Sequence, residues 1–449
     1  MSMRPCYGAA METNARDAGL VRAVGPWGLA AGIFGIVVGA SIFVVPAALA
    51  ANIGVYAPLA ILACAIAVGS VAICFAEGGS RIPSSGGAYG YIEAAFGPLT
   101  GYVAGTLLWV GDVLASGGIA VALADVGVSA LPQPLKAAAH VLIIVGTIGG
   151  IAVINIGGVT RAIRLVNATA LLKLLPLLVF VLVGAGAMQG GNFHESGVAN
   201  GMGIGRAMIL AVFAFMGMET ALSASGEVAE PERTIPRALA LAIGAVTLLY
   251  MGIQIVAQGI LGPALAHSES PLADAMGEIS PALRWLMLAG AAVSMFGFLA
   301  SDLLGTPRVL FAFARDGLLP RALGRVHSRS HAPHVAIACY AALAVALALT
   351  GTFAKLAVWS ALTTAPLYIA GCAATWRLVR RGVSQTGKPL NFRGLGIATL
   401  IGITSMLALI TQGERPEIIG LLVLLGLSAA IYLLQTHVVV RQSAKGGRT

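Results

Sequence analysis

Long apolar runs separated by short polar segments dominate the chain. One helix needs about 20 apolar residues to cross a bilayer, and by that measure the runs predict twelve transmembrane helices. The predicted helices span residues 27–50, 56–76, 89–127, 137–156, 165–188, 205–226, 236–261, 282–305, 334–350, 356–377, 395–412 and 417–438. Because no series of alternating segments of about ten residues occurs, the pattern favours an all-α membrane protein over a membrane β-barrel.

Poor helix formers interrupt two of these predicted helices, the first and the sixth. The first contains GIVVGASIFVVP, from Gly35 to Pro46, and in the sixth Gly217 and Glu219 break the apolar run. Unwound backbone inside a membrane leaves N–H and C=O groups that need a partner. Interruptions at corresponding positions of two halves are typical of inverted-repeat transporters, whose substrate site lies at the bilayer midplane.

These two interruptions predict a site with both electrical polarities. The amide N–H groups near Ser41 and Ile42 begin the outer half of the first helix, where partial positive charge suits a carboxylate. The carbonyl groups that end the inner halves, near residues 37–39 and 215–217, suit an ammonium group. We therefore expect a zwitterionic substrate such as an α-amino acid. The structural alternative is that the glycines only allow close helix packing.

The composition fits a membrane protein. Of the 449 residues, 58% are hydrophobic and only 10% are charged, whereas soluble domains carry about 25% charged residues. Lysine and arginine concentrate in alternate loops, which predicts that both termini are cytoplasmic and accounts for the net charge of +9. Since the loops are too short to form a basic domain, we expect the chain to meet a lipid bilayer and no nucleic acid.

The sequence predicts no cofactor and no metal site. Its five cysteines show no CxxC spacing, and its seven histidines fall in loops or at helix ends. Neither pattern indicates a disulfide framework, a zinc site or a histidine proton relay. The first 20 residues lack an apolar core and a small-residue cleavage site, which indicates a short tail rather than a signal peptide.

Four ionisable residues stand out inside predicted membrane helices, and each is a functional candidate because a charge at bilayer depth costs at least about 2.5–3.5 kcal/mol. They are Asp112, Lys173, Glu219 and Asp302. The two aspartates lie in the third and eighth helices, which an inverted repeat would relate, so we expect them to line one cavity. One could neutralise Lys173, and the other could face a cationic substrate or carry a coupled proton. Alternatively, both are bonded structurally to Ser116, Ser301 or Thr306.

Several motifs resemble those of amino acid permeases in the amino acid-polyamine-organocation superfamily. Residues 39–43, GASIF, resemble the first-helix pattern G-(S/A)-G-I-F, and residues 215–219, FMGME, resemble the sixth-helix pattern F-x-G-x-E. Supporting stretches are GGAYGYIEAAFGPLTGY at 86–102, EVAEPERTIPRAL at 227–239 and FARDGLLPRAL at 313–323. The resemblance runs from about residue 25 to the last predicted helix. It is specific for the superfamily but not for a substrate.

The resemblance implies a particular architecture. Helices one to five and six to ten would form a five-plus-five inverted repeat with broken helices one and six, and helices eleven and twelve would lie outside it. We accordingly expect a cytoplasmic tail at 1–24, a single transmembrane permease domain at 25–440 and a second tail at 441–449. Within the domain, repeat one covers about 25–190, repeat two about 203–380, and helices eleven and twelve about 395–438.

The resemblance also implies roles for individual residues. The substrate-binding set is Val38, Gly39, Ala40, Ser41, Ile42, Phe213, Phe215, Gly217 and Glu219. Ser41 stands where the family usually has Gly, and we expect its hydroxyl to donate to the substrate carboxylate. Phe213 matches an aromatic lid over bound substrate, with ordinary packing as the alternative, and for Glu219 we favour a structural link to neighbouring helices. Lys173 matches the place where sodium-coupled relatives hold sodium, which implies sodium independence and makes Lys173 a candidate proton carrier, with an interfacial position as the alternative.

The expected function is secondary active transport of amino acids across the cell membrane by alternating access. The sequence leaves open proton symport or exchange, a neutral or a cationic amino acid, and the oligomeric state. Alternatives are a polyamine or organic-amine transporter on the same fold and an amino acid sensor that does not transport. No HExxH, GxSxG, Walker A or filter repeat occurs, so we expect no enzyme, ATP-driven pump or channel.

Overall fold

The computed structural model describes most of the chain as helix. It describes residues 25–39, 41–83, 88–129, 131–158, 165–166, 168–169, 172–193, 201–222, 228–315, 317–330, 332–385 and 389–446, so the predicted site residue Ala40 lies outside the described residues. Within these ranges no β-strand occurs. In the described part of the chain, eight helical segments are long and apolar enough to cross a membrane, and four shorter apolar helices accompany them.

Seventeen α-helices make up the described fold. They are α1 Pro26–Val37, α2 Val45–Ile53, α3 Ala57–Arg81, α4 Ala88–Phe96, α5 Pro98–Val128, α6 Gln133–Ile156, α7 Leu174–Gly184, α8 Gly201–Phe215, α9 Met218–Ala221, α10 Pro231–Leu261, α11 Pro271–Gly277, α12 Pro281–Gly305, α13 Pro307–Arg315, α14 His334–Thr350, α15 Phe353–Arg380, α16 Leu395–Thr411 and α17 Arg415–Gly446. Short 3₁₀ turns lie at Ser41–Phe43, Gly54–Tyr56, Ala185–Ala187, Gly190–Phe193, Gly262–His267 and Arg321–Gly324.

The prediction of residues 89–127 as one helix is wrong. Residues 89–127 divide into α4 and α5 at Gly97, whose φ of +97° is a conformation that side-chain-bearing residues rarely adopt. Pro98 then occupies the first turn of α5, where its missing N–H costs no hydrogen bond. The eighth predicted helix, 282–305, matches α12, and a further short helix that was not predicted, α13, starts at Pro307.

Burial separates central helices from peripheral ones. In α5, 83% of the most apolar stretch is buried within the protein, against 22% in α6 and 17% in α17. Because lipid is as apolar as these side chains, peripheral helices can expose them without penalty. The interrupted helices α1 and α8 lie inside, where α1 packs along α10 and α8 packs against α2, α3 and α15.

A buried ion pair fixes the end of α3. The guanidinium of Arg81 donates to the carboxylate of Glu77 at 2.8 Å, and the two side chains are only 5% and 0% exposed. That carboxylate also accepts the backbone N–H of Phe392 at 2.9 Å, while Arg81 donates to Asn391 Oδ1 at 2.6 Å and to the Val383 carbonyl at 3.2 Å. The cluster therefore ties α3 to the segment between α15 and α16.

We predict that Arg81→Ala destabilises the protein by about 3–5 kcal/mol, because it leaves the buried Glu77 carboxylate without its charged partner. Thermal unfolding of the purified protein in detergent measures the change. Arg233→Ala is the matched control, since it removes the same residue type from a pair with Glu230 whose side chains are about two-thirds exposed, and such pairs contribute at most about 1 kcal/mol. Equal losses in the two variants would contradict the anchoring role of Arg81.

Candidate functional site

The first interruption separates α1 from α2. Helix α1 ends at Val37, the chain turns through the 3₁₀ segment Ser41–Phe43, and α2 starts at Val45. Two hydroxyl groups bind carbonyls exposed by this break: Tyr250 on α10 donates to the Val37 carbonyl at 2.8 Å, and Ser294 on α12 donates to the Gly39 carbonyl at 2.9 Å. The protein therefore supplies its own partners for backbone groups that the broken helix leaves unpaired.

Lys173 lies beside the same interruption, immediately before α7. Its side chain is 4% exposed, and its ammonium donates to the Gly35 carbonyl in the last turn of α1. A cation at this place is favourable because the C-terminal end of a helix carries partial negative charge. The pairing with an aspartate suggested by the sequence is not formed, since among the described residues neither Asp112 nor Asp302 makes an ion pair with Lys173.

The second interruption separates α8 from α9. Helix α8 ends at Phe215, and Gly217 adopts a φ of +116° before α9 begins at Met218. The Glu219 carboxylate turns back to accept the Gly217 backbone N–H, with both oxygens at 3.2 Å, and it also accepts the hydroxyl of Tyr368 on α15 at 2.7 Å. Glu219 thereby holds the turn in shape and links it to α15.

The two interruptions lie in direct contact. A Cβ atom placed on Gly217 would lie 2.7 Å from Cγ2 of Ile36 and 3.5 Å from the Val37 nitrogen, so only glycine permits this approach. The Tyr250 hydroxyl also lies 3.2 Å from the carbonyl of Ala214 and thus reaches the ends of both inner half-helices. One hydroxyl group and one glycine therefore keep the breaks of α1 and α8 side by side.

A cavity of about 50 Å³ lies between the interruptions and extends towards α5 and α12. That volume holds only a few water molecules. Seven of the residues singled out from the sequence contribute to its wall, namely Gly39, Ser41, Asp112, Phe213, Gly217, Glu219 and Asp302.

The other predicted residues lie behind this wall. Val38, Ile42 and Phe215 do not line the cavity and are fully buried. Phe215 packs instead against the ring of Tyr250, with ring centroids 5.2 Å apart, while Phe213 at the wall packs against Phe353 at 5.8 Å. The interruptions therefore contribute some residues to the cavity and others to the protein core.

Sequence reasoning missed the apolar part of the wall and most of the hydroxyl groups that bind the breaks. The apolar wall includes Ile36, Ala115, Ile119, Met216 and Phe298. Aliphatic residues in a membrane helix look alike in the sequence, so nothing distinguishes those that face the cavity. The missed tyrosines Tyr250, Tyr340 and Tyr368 did carry a signal, because each sits within an apolar helix and a buried hydroxyl needs a partner.

The two aspartates face each other across one hydroxyl group. Thr306 Oγ1 lies 2.9 Å from Asp112 Oδ2 and 2.7 Å from Asp302 Oδ1. Asp302 also accepts the hydroxyl of Ser116 at 2.5 Å and that of Tyr340. Bonds to Ser116 and Thr306 match the structural alternative considered from the sequence, yet both carboxyl groups also reach the cavity wall.

The fold and the cavity define a multi-pass membrane protein with a small buried chamber between two broken helices. A family model described as amino acid permease matches residues 24–436, which is nearly the whole chain. This protein belongs to that family. Its relatives are transporters and not enzymes, and the resemblance noted in the sequence is confirmed.

Three relatives show how broad the family is. An uncharacterized transporter from Mycobacterium tuberculosis is 33% identical over 324 residues, which cover 70% of this chain and 71% of the relative. A branched-chain amino acid permease from Lactococcus lactis is 28% identical and covers 67% and 70% of the two chains. A methylthioribose transporter from Bacillus subtilis is 27% identical and covers 72% and 74%. Similarity at this level therefore does not by itself identify a substrate.

We predict that Gly217→Ala disrupts the contact between the two breaks. The added Cβ would sit at a φ of +116°, and strained backbone of this kind costs on the order of 1–3 kcal/mol. Thermal unfolding in detergent should show the loss. The control is Gly244→Ala in α10, where no atom lies within 4 Å of the new methyl group and the better helix propensity of Ala applies. A Gly217→Ala protein as stable as the Gly244→Ala protein would contradict this account.

Proposed function

We propose that this protein is a sodium-independent secondary transporter that moves neutral aliphatic amino acids across the cell membrane by alternating access. The observation that carries the proposal is the contact between two broken helices beside a small cavity, in a chain that belongs to the amino acid permease family. Such breaks bring backbone dipoles of opposite sign to one place, which suits the carboxylate and ammonium groups of an α-amino acid.

The architecture proposed with this function has twelve membrane crossings, a five-plus-five inverted repeat and both termini in the cytoplasm. Eight long and four shorter apolar segments support the count of twelve, one for each crossing predicted from the sequence. The concentration of lysine and arginine in alternate loops supports the orientation. In this arrangement the chamber lies near the middle of the bilayer.

The chamber wall supports a neutral aliphatic side chain. On the side of α5 it presents Ala115 and Ile119, and on the side of α12 it presents Phe298, so a substrate side chain would meet apolar surface. We place the substrate carboxylate at the turn of Gly39 and Ser41 and the ammonium near the carbonyl of Val37. That carbonyl already accepts the Tyr250 hydroxyl at 2.8 Å and the Gly39 N–H at 2.7 Å, so the ammonium would displace one of these two donors when it binds.

The chamber is too small for most substrates in the described conformation. Room for a few water molecules means that the walls separate when substrate enters. We assign that movement to the interruptions, where hinge motion needs no breaking of helical hydrogen bonds. A lid role for Phe213 fits its place in the wall, and its packing on Phe353 would open when the lid moves.

The position of Lys173 supports the proposed sodium independence. Its ammonium occupies the end of α1 and donates to the Gly35 carbonyl, which is a backbone oxygen of the type that binds sodium in transporters with broken helices. A fixed positive charge there would repel a second cation. Coupling is then to protons or to exchange, with Lys173, Asp112 and Asp302 as the ionisable groups at hand.

One observation favours a second candidate, transport of an organic amine or polyamine. The carboxyl groups of Asp112 and Asp302 reach the chamber wall, and acidic groups suit a substrate that is only positively charged. Such a substrate would leave the amide groups at Ser41 without a carboxylate. A sensor that binds an amino acid without transport is compatible with the same site.

We predict that proteoliposomes containing the protein take up neutral aliphatic amino acids and that replacing sodium with potassium leaves the rate unchanged. The panel includes a branched and an unbranched aliphatic amino acid, a cationic amino acid, putrescine and methylthioribose, each radiolabelled. Uptake is compared with and without an inward proton gradient, and with and without unlabelled substrate inside. Accumulation driven by the gradient alone indicates symport, whereas uptake only with internal substrate indicates exchange.

Empty liposomes control for leakage. Uptake of putrescine alone would overturn the carboxylate assignment and favour the amine transporter, and a strict sodium requirement would overturn the role given to Lys173. Binding of an amino acid without uptake under any condition would favour the sensor.

A further inference from the structure

The bridge between Asp112 and Asp302 can satisfy both carboxyl groups only if one of them is protonated. Thr306 Oγ1 is within hydrogen-bond distance of both carboxyl groups, at 2.9 Å from Asp112 Oδ2 and 2.7 Å from Asp302 Oδ1. A hydroxyl group carries one hydrogen and can donate it to only one acceptor. The other contact of Thr306 Oγ1, with an oxygen of the second carboxyl group, is a hydrogen bond only if that carboxyl group carries a hydrogen of its own. Two ionised carboxylates therefore cannot both be satisfied by this bridge.

We infer that Asp112 and Asp302 hold a single proton between them through Thr306, and that this pair is the proton-binding site of the transport chamber. The inference rests on the proposed function for its role in transport, whereas the shared proton itself follows from the geometry. Two further observations link the pair to the substrate. Both acids contribute to the chamber wall, and Asp112 Oδ2 also lies 3.4 Å from the hydroxyl of Thr220 beside the second interruption.

The hydrogen-bond donors decide which acid holds the proton. Asp302 is reached by the hydroxyl groups of Ser116 and Tyr340 as well as that of Thr306, so three donors surround its carboxylate. Among the described residues, Asp112 has only the longer contact with Thr220 besides the bridge. Donors stabilise the ionised form of a carboxyl group. The proton therefore belongs to Asp112, which donates to Thr306, while Thr306 donates to the charged Asp302.

The other ionisable groups near the pair are already engaged. Glu219 on α9 accepts the Gly217 N–H and the Tyr368 hydroxyl, and it adds negative charge that favours retention of the proton by Asp112. Tyr340 on α14 donates to Asp302. Lys173 donates to the α1 backbone. In the described part of the chain, neither aspartate has a cation that would neutralise it.

Release of the proton from the pair breaks a single bond. The Asp112 O–H bond breaks, the proton passes to water in the chamber, and the bonding electrons stay on the Asp112 carboxylate. No other bond changes. Thr306 can then satisfy only one of two adjacent carboxylates, so the proton stays with the pair until the chamber opens to the cytoplasm and water solvates the Asp112 carboxylate.

Infrared difference spectroscopy on the purified full-length protein in lipid nanodiscs tests the shared proton without any knowledge of the substrate. The carbonyl stretch of a protonated carboxyl group is separate from that of a carboxylate. We expect such a band at neutral pH in the wild-type protein, shifted by deuterium oxide, lost in Asp112→Asn and kept in Glu219→Gln. Asp125→Asn is the matched control, because it makes the same change at the far end of α5 on an acid that is 57% exposed and bonded to His140.

Transport measurements test the role of the proton. The amide introduced by Asp112→Asn imitates the protonated acid but cannot release a proton, so we expect proton-driven accumulation and the pH dependence of uptake to be lost. Thr306→Ser keeps the bridge and should retain both, whereas Thr306→Val should lose them. Asp125→Asn should behave as the wild type. A band that survives Asp112→Asn, or an unchanged pH dependence in that variant, would overturn the inference.

The two readouts separate this inference from the proposed function. A band that depends on Asp112 in a protein that takes up no amino acid would contradict the transport proposal and support the shared proton. Uptake of amino acids by a wild-type protein that lacks the band would support the transport proposal and contradict the shared proton.

Discussion

The hydroxyl group of Tyr250 is the interaction on which the site depends. Breaking a helix inside a membrane exposes carbonyl groups, and leaving one of them buried without a partner costs about 1–3 kcal/mol. Two helices are broken here, and the Tyr250 hydroxyl on α10 lies within hydrogen-bond distance of the carbonyls of Val37 and Ala214 at the two broken ends, so its one hydrogen can pair with either carbonyl. Gly217 allows the breaks to touch. The protein thus stabilises a cavity that ordinary membrane helices would close.

The rest of the site follows from this constraint. The breaks are held by α10, α12 and α15, and of these three helices only α12 also contributes described residues to the chamber wall. Bonds from hydroxyl groups to backbone are weak enough individually, at about 0.5–1.5 kcal/mol, to exchange during a conformational change. A site built in this way can open on one side while the helices themselves remain intact, as alternating access requires.

Sequence patterns predicted the helix breaks and the acidic residues of this site, but not the residues that bind them. The breaks at Gly39 and Gly217 were evident because glycine and polar residues interrupt apolar runs, and the acids were evident because charge is rare at bilayer depth. The partners were not evident. Tyr250 meets Val37 across 213 positions of sequence, and Thr306 joins two acids from different helices. Such contacts depend on helix packing, which local composition does not encode. The split of the third helix at Gly97 was missed for a different reason, since glycine followed by proline was outweighed by a continuous apolar run.

The most direct test of the central claim is a cryo-electron microscopy structure of the full-length protein with its transported amino acid bound. We predict density between the two breaks, with the carboxylate at the turn of Gly39 and Ser41 and the side chain against Ala115 and Ile119. Density elsewhere would contradict the account, for example in the apolar cavity of about 420 Å³ beside Trp359. So would a bound state in which the breaks of α1 and α8 have moved apart and substrate contacts only one of them.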